Sequence, residues 1–298
     1  MKIINVAGLI AAAIAVAASG SPATAADLGG AQGGSMKDGY ASAPTLMRGA
    51  VGPCYFRGDA GYSWARSPDA SWPVSTTTNT TNAGPPVTTT STYSYIGDTI
   101  TDTKLDSTAF GGVGLGCGSG SRGIRGEVML NQTGTRGFVG TPLNYTVINN
   151  GVPQPPITDP IHSSVKSTTL MFNAYKDLGS FGPVTPYLGA GVGVSYNKMG
   201  DVYFTDNPNL TNTIHGDSRM SLAWSLMAGI GYQLNERAIL DVGYRYMDYG
   251  KAQSGQIDSA GFVNPVVRIN DIAAHEFKVG LRYHFGANDA APSYQPLK

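Results

Sequence analysis

Eight stretches of this chain alternate apolar and polar side chains, and no other feature restricts its possible folds as strongly. In the stretch 275–285, every second residue from Phe277 to Phe285 is apolar or aromatic, while the residues between them are charged, polar or glycine. Side chains that alternate with a period of two point to opposite faces of a β-strand. The same alternation occurs in 54–65, 108–117, 122–131, 166–177, 186–197, 220–234 and 238–248. The sequence therefore predicts eight strands of about ten residues, the length of tilted membrane strands, and no helix in the exported chain.

The segments that connect these stretches are alternately long and short. The long ones are 66–106, 132–165, 198–219 and 249–271, and the short ones are 118–121, 178–185 and 235–237. Long loops at one rim and tight turns at the other are the layout of outer-membrane barrels. We therefore predict an all-β fold, an eight-stranded antiparallel up-and-down transmembrane β-barrel over 54–285, with long surface loops and short periplasmic turns.

Residues 1–25 have the pattern of a secretory signal peptide. Lys2 supplies a positive charge, a run of apolar residues follows, and Ala-Thr-Ala closes the segment as a small-residue cleavage site. The alternative is an uncleaved N-terminal anchor. We predict export, with a flexible periplasmic lead-in rich in Gly, Ala and Ser at 26–53 and a short periplasmic tail at 286–298.

The composition indicates which face of the barrel meets lipid. A soluble ligand-binding barrel would show the same alternation with its apolar face inside. Here the polar face is mostly Gly, Ser, Asn and Tyr, and charged residues are only 13% of the chain, against about 25% in soluble domains. Aromatic residues of the apolar face gather near strand ends, as interfacial girdles do. They are Trp64, Tyr196, Tyr232, Tyr246 and Tyr283. We expect the apolar face to contact lipid, and the net charge of zero gives no indication of nucleic acid binding.

Nine charged residues fall on the predicted inner face, five of them cations and four of them anions. They are Arg57, Asp59, Arg125, Glu127, Asp241, Arg245, Glu276, Lys278 and Arg282. The lumen of an eight-stranded barrel is just wide enough to be filled by side chains, and unpaired charge in such a space is costly. The nine residues therefore predict a structural ion-pair network in the lumen. The alternative is a selective or gated pore.

Five segments resemble the OmpA-like eight-stranded outer-membrane barrels, and they are closest to the small surface-antigen and porin-like outer membrane proteins of α-proteobacteria. They are YFRGDAGYSWA (55–65), TTLMFNAYKDLG (168–179), TPYLGAGVGVSY (185–196), LDVGYRYMDYG (240–250) and HEFKVGLRYHF (275–285). The order and spacing of the segments carry the resemblance, which covers 54–285. It implies an outer-membrane location, roles in envelope integrity and host contact, and weak porin activity.

The end of the last stretch also resembles the outer-membrane assembly signal, through Gly280, Tyr283 and Phe285. This resemblance implies recognition by the barrel-assembly machinery. In the family the terminal aromatic residue usually closes the chain, whereas here the tail 286–298 follows it. The tail is too short for the peptidoglycan-binding domain of larger relatives, so we expect that anchoring function to be absent.

The two cysteines of the chain predict a disulfide, because an exported protein reaches an oxidising compartment. Cys54 begins the first predicted strand and Cys117 ends the second, so both lie on the outward face at the periplasmic rim. Residues opposite each other in an antiparallel pair are close enough to be bridged. The alternative is two unpaired thiols.

Nothing in the sequence predicts catalysis or a cofactor. His275 lies on the outward face near the outer rim, but Ser221 has inward parity, so the two cannot form a lipid-facing Ser–His pair. The aspartates and histidines of the loops lack metal-ligand spacing, and no phosphate-binding Gly loop precedes a helix. We expect no enzyme activity, no cofactor and no metal site.

The predicted function is that of a non-enzymatic outer-membrane protein that contributes to envelope integrity and surface exposure. The alternatives are a narrow porin for ions or small solutes, and an adhesin or host-contact protein that acts through its long loops. The first long loop is rich in Thr and low in charge, so we expect it to be mobile and unable to bury a core. The expected partners are outer-membrane lipid and lipopolysaccharide, the barrel-assembly machinery, and a host or phage receptor at the loops.

Overall fold

The computed structural model describes most of the barrel region of the chain. The described residues are 51–73, 78–82, 88–92, 99–118, 123–142, 144–145, 148–149, 152–153, 157–158, 160–204, 213–261 and 263–287. The predicted signal peptide 1–25, most of the lead-in 26–53 and most of the tail 286–298 lie outside these residues. No helix in the described residues is long and apolar enough to span a membrane.

Eight long strands form the barrel. They are β1 (Val51–Ala65), β2 (Thr108–Gly118), β3 (Ile124–Thr133), β4 (Ile161–Asp177), β5 (Val184–Met199), β6 (Ser218–Gln233), β7 (Ala238–Asp248) and β8 (Ala273–Ala287). Each strand pairs antiparallel with the next, and β8 pairs with β1 to close the barrel. The predicted fold class is confirmed. Some strands reach 16 or 17 residues, longer than predicted.

The exposure of side chains follows the predicted faces. On β8, Phe277 is 48% exposed and Leu281 is 46% exposed, whereas Glu276 is 0% and Arg282 is 4% exposed. The register between β1 and β8 sets Tyr62 beside Phe277 on the outside. Outward side chains of the barrel are thus apolar, and the charged side chains point inward, as lipid outside and a closed lumen inside require.

Beyond the lipid-facing band, on the side of the long loops, the sheet continues and closes a second time. In order around this ring, its members are the first residues of β4, Arg136–Thr141, Thr99–Leu105, Asp69–Ser71, Arg268–Asn270, Ala252–Asp258, Ile214–Gly216 and Tyr203–Phe204. A bridge between Val202 and Ile214 joins the last two, and Tyr203–Phe204 returns to β4. We call this ring the outer extension. The loops also contain three short strand pairs, Thr78–Asn82 with Thr88–Thr92, Asn144–Tyr145 with Ile157–Thr158, and Ile148–Asn149 with Val152–Pro153.

The chemistry of the two faces is inverted in the outer extension. On β4, Leu170 and Phe172 point outward into the lipid band, whereas Ile161 and Val165 point inward and are buried. Lys166, on the outward face, is exposed. The inversion follows from the surroundings, because beyond the membrane the outside of the ring meets water and apolar side chains are driven inside. The buried apolar residues of the outer extension are Ala70, Trp72, Ile100, Leu105, Phe138, Ile161, Val165, Val202, Ile214, Tyr249, Ala252, Val267, Ile269 and Ile272.

The expectation that the first long loop cannot bury a core is wrong at the described ends of that loop. Trp72 is 7% exposed, its indole N–H donates to the carbonyl oxygen of Pro265 at 3.0 Å, and its ring lies 5.9 Å from that of Phe204. Ile100 and Leu105 are buried in the same cluster. Few apolar residues are enough here, because the six other segments of the ring contribute to the same core.

Gly193 on β5 provides a test of how closely the barrel strands pack. A Cβ at this position would collide with the backbone carbonyl oxygen of Leu170 and lie 2.9 Å from the Cα atom of Met171 on β4. Backbone atoms cannot move aside as a flexible side chain can, so we expect Gly193→Ala to lower the free energy of unfolding by about 1–3 kcal/mol. Urea unfolding in lipid vesicles measures this change.

The matched control for this substitution is Gly58→Ala. Gly58 lies outward on β1, and a Cβ there would meet no atom within 4 Å. We expect the control to be neutral or slightly stabilising, because alanine reduces the entropy of the unfolded chain. If the free energy of unfolding falls equally in the two variants, the strands around Gly193 accommodate the added methyl group without a specific penalty.

Candidate functional site

The lumen is the candidate functional site, because it collects the charged side chains of the membrane-spanning strands. All nine predicted lumen residues point inward and are 6% exposed or less. We call these nine residues the lumen network. The structure joins them into three groups of ion pairs.

The first group is centred on Asp59 of β1. The guanidinium Nε of Arg57 lies 2.7 Å from one carboxylate oxygen of Asp59, and the ammonium of Lys278 on β8 lies 3.0 Å from the other. Both oxygens are therefore bound to a cation. Gly280, on the inward face of β8, leaves space for this carboxylate, since a Cβ there would lie 3.0 Å from the Asp59 Cγ atom.

Glu127 of β3 forms the second group. Its Oε1 accepts hydrogen bonds from Arg57 Nη1 and Arg125 Nη1, each at 2.9 Å, and from the hydroxyl of Tyr55 at 2.7 Å. Arg125 also contacts Asp177, at 3.1 Å, toward the periplasmic end. One carboxylate thus pairs with two buried guanidinium groups, each of which also contacts a second carboxylate, and Arg57 links the first group to the second.

The third group consists of two pairs that involve β7 and β8. Arg245 lies 2.5 Å from Glu276, and Arg282 contacts Asp241 at 2.5 and 3.1 Å. Glu276 also accepts hydrogen bonds from the hydroxyls of Ser63, at 3.0 Å, and Tyr249. Charge-assisted bonds of this kind are stronger than neutral ones, and they satisfy charges that could not otherwise be buried.

Two tyrosines that the sequence places inside the barrel contribute to the network in a way that the sequence alone does not show. The guanidinium of Arg125 lies 4.1 Å from the ring centre of Tyr175 and 4.7 Å from that of Tyr187. Cation–π contacts of this type are stronger when they are removed from water. The two rings therefore hold Arg125 in place and fill the space between the ion pairs.

Sequence reasoning missed Arg136, which is buried to 1% exposure above the third group. Its Nη2 donates to the Ser63 hydroxyl at 2.6 Å, and its guanidinium lies 4.9 Å from the Tyr249 ring. The residue falls in the predicted loop 132–165. The alternation in RGFVGT (136–141) was the signal that could have placed Arg136 and Phe138 on an inner face.

A layer of apolar side chains covers the lumen network on the outer side. Met129, Met171, Met199 and Met247 are 1% exposed or less, and they belong to the same buried cluster as the core of the outer extension. Met129 and Met171 are directly opposite each other on β3 and β4. The lumen is therefore filled mainly by paired charges below and by apolar side chains above, and Arg136 is the charged exception in the upper part.

On the periplasmic side the lumen opens into a mouth of about 290 Å³. Arg125 and Arg282 line this mouth together with Tyr55 and Asp177. Each of the two arginines is bound to a carboxylate, so the mouth presents paired charges. Among the described residues, no group of three or more His, Cys, Asp or Glu side chains is arranged to hold a metal ion.

The remaining predicted residues lie toward the periplasmic rim. Cys54 and Cys117 are opposite each other on β1 and β2 and form a disulfide. The two cysteines are 63 residues apart in the sequence. Tyr283 and Phe285 point outward near the end of β8, at 46% and 37% exposure. Their role as an assembly signal, with Gly280, remains a prediction.

His275 and Ser221 do not form a pair in the structure. The Nδ1 of His275 lies 2.6 Å from the hydroxyl of Tyr244, within the aromatic belt of the outer face. The hydroxyl of Ser221 donates to the backbone carbonyl of Lys251 at 3.0 Å. Each polar group thus has a structural partner of its own.

Comparison with known proteins identifies the family. The family model described as outer membrane protein beta-barrel domain matches residues 6–285. The chain belongs to this family. An uncharacterized protein of Brucella suis biovar 1 is 31% identical over 264 residues, which cover 80% of this chain and 87% of that protein. A putative adhesin of Rickettsia bellii is 27% identical over 118 residues, or 39% of this chain and 52% of that protein.

Among solved structures, this outer-membrane barrel is similar to the outer membrane protein OprG from Pseudomonas aeruginosa. The identity is 19%, the TM-score is 0.45, and the match covers 80% of this chain and 99% of OprG. Family membership confirms the predicted location in the outer membrane. It also confirms the predicted resemblance to small outer-membrane barrels.

Proposed function

We propose that this protein is a closed, non-enzymatic outer-membrane barrel that contributes to envelope integrity and displays the outer extension at the cell surface. The observation that carries the proposal is the filled lumen. The ion pairs among the nine residues of the lumen network involve side chains that are 5% exposed or less. An apolar layer then covers them.

A narrow porin needs a continuous path of water through both layers. Opening such a path would require the separation of ion pairs in a low-dielectric space and the displacement of side chains such as Met171 and Phe138, which are 0% exposed. Breaking one buried pair costs about 3–5 kcal/mol. Several pairs would have to separate together, so a stable open state is not expected.

Planar-bilayer conductance of the refolded mature protein tests this proposal. We expect no open steps from protein whose gel shift on boiling shows that the barrel is folded. A general-diffusion porin in the same bilayer controls for insertion and sensitivity. Reproducible single-channel steps from the folded protein would overturn the proposal and favour the narrow porin.

A role in host contact is the second candidate, because a relative is named a putative adhesin. The outer extension supports this role, since it presents a folded surface in place of loops without a core. Loss of cell binding after deletion of loop segments would favour it. We also propose that Gly280, Tyr283 and Phe285 are recognised by the barrel-assembly machinery, since they lie on the last strand and two of them face outward.

A further inference from the structure

Two lysines stand side by side on the outward face of the barrel, just beyond the lipid-facing band. Lys166 of β4 is directly opposite Lys198 of β5, and both side chains are exposed. Like charges at directly opposite positions of an antiparallel pair destabilise it. Among the described residues, neither ammonium takes part in an ion pair. The arrangement therefore concentrates positive charge that the described part of the protein does not neutralise.

The register of the sheet fixes the height of this pair relative to the membrane. Two residues closer to the membrane than the lysine pair, Thr168 lies opposite Tyr196. Two residues closer again, Leu170 lies opposite Val194. Leu170 and Val194 are 41% and 43% exposed, as lipid-facing residues are. With a rise of about 3.3 Å per residue and a tilt of about 40°, the lysines lie roughly 10 Å above the Leu170 level. That is the level of lipid headgroups.

The neighbouring strands make the surface around the pair polar. Ser218 of β6 is directly opposite Lys198, and Gln132 of β3 is directly opposite Thr168. Closer to the membrane centre, Leu130 is directly opposite Leu170 and Leu222 is directly opposite Val194, so these strands are apolar at that height. A molecule with an anionic headgroup and acyl chains would match this surface from top to bottom.

Two acidic residues at the same end of β5 and β6, Asp201 and Asp217, accept backbone hydrogen bonds. The Oδ1 of Asp217 accepts the backbone N–H of Ser218 at 2.7 Å, and the Oδ1 of Asp201 accepts that of Gly216 at 2.8 Å. Neither forms an ion pair with Lys166 or Lys198. The two ammonium groups remain available to one anion.

We propose that Lys166 and Lys198 bind a phosphate group of the outer-leaflet glycolipid, the lipid A part of lipopolysaccharide. The long lysine side chains can converge on one phosphate from adjacent strands, while the acyl chains lie along the apolar levels below. Each lysine near an anionic lipid surface contributes about fivefold in affinity, so the pair contributes about thirtyfold. The inference rests on the outer-membrane location and does not depend on whether the lumen conducts.

Native mass spectrometry of the mature full-length protein, released from mixed micelles, counts the lipid that stays bound. We expect bisphosphorylated lipid A to be retained, and the double variant Lys166→Gln/Lys198→Gln to bind it about thirtyfold more weakly. The control variant Lys104→Gln/Arg268→Gln removes the same charge from exposed positions of the outer extension. It should bind as the unmodified protein does.

Further measurements distinguish recognition of the lipid A phosphate from binding of the acyl chains alone and from binding of free phosphate. Dephosphorylated lipid A should bind as weakly as the double variant binds lipid A, and inorganic phosphate should not displace the lipid. The variant Lys198→Glu forms a cross-strand pair with Lys166, which favours folding, yet it should lose lipid A binding. Unchanged retention in the double variant or in Lys198→Glu would overturn the proposal, as would equal binding of the dephosphorylated lipid or displacement by free phosphate.

Discussion

Replacement of Glu127 by glutamine should lower the free energy of unfolding by about 3–5 kcal/mol, because it leaves two buried guanidinium groups without their shared carboxylate. Arg57 and Arg125 both donate to Glu127 Oε1 at 2.9 Å. Glutamine keeps the shape and one acceptor oxygen, so the loss reports charge and not volume. The measurement is urea unfolding of the refolded protein in lipid vesicles, followed by tryptophan fluorescence.

Glu236→Gln is the matched control, since Glu236 is exposed in the turn between β6 and β7. We expect a change within about 0.5 kcal/mol for this variant. The double variant Arg57→Gln/Glu127→Gln should lose less than the sum of its single variants, because it removes both members of the pair. A loss below about 1 kcal/mol in Glu127→Gln would mean that water reaches the lumen and screens its charges. That outcome would weaken the proposal of a closed barrel.

Much of the barrel could be predicted because its signals are local. In β8 the alternation from Phe277 to Phe285 is unbroken, and a period of two fixes both the strand and its two faces. The alternation of long and short connections then selects an up-and-down barrel. Neither argument requires knowledge of contacts between distant residues.

The partners within the lumen could not be assigned in the same way. Glu127 on β3 reaches Arg57 on β1 across the intervening strand β2. The glycine at position 116 of β2 leaves the space for this contact. A Cβ atom at that position would lie only 2.6 Å from the Glu127 Cγ atom. Such a contact depends on the register of three strands together, and no single stretch of sequence contains it.

The outer extension escaped prediction for a related reason. Its strands are short, and the segment Asp69–Ser71 pairs with Arg268–Asn270 from the other end of the chain. A three-residue strand shows no measurable period, so its face cannot be read from the sequence. Only the closed ring brings Trp72, Ile100 and Phe138 into one core.

Phe138→Ala should release the outer extension while the membrane barrel stays folded. Phe138 is 0% exposed and lies between Leu105 and Ser163 on the neighbouring strands. Truncation of a buried phenylalanine costs about 3–5 kcal/mol, through lost apolar contact and the cavity that remains. The extension is joined to the barrel through the strands that continue into it and through contacts with the barrel methionines. We expect the loss to appear first as local opening of the extension, which is the part that Phe138 supports. Amide hydrogen exchange over 136–141 should become about 100-fold to 4,000-fold faster, with exchange in β7 and β8 unchanged.

Val139→Ala is the control for this variant, because Val139 is the adjacent residue on the opposite face and is only half-buried. We expect little change in its exchange rates. Phe138→Ala should also remain silent in a planar bilayer, since the ion pairs of the lumen network still close the barrel below the apolar layer. Faster exchange throughout the barrel strands would show that the outer extension and the membrane barrel form one cooperative unit. Open steps in the bilayer would show that the apolar layer alone had sealed the lumen.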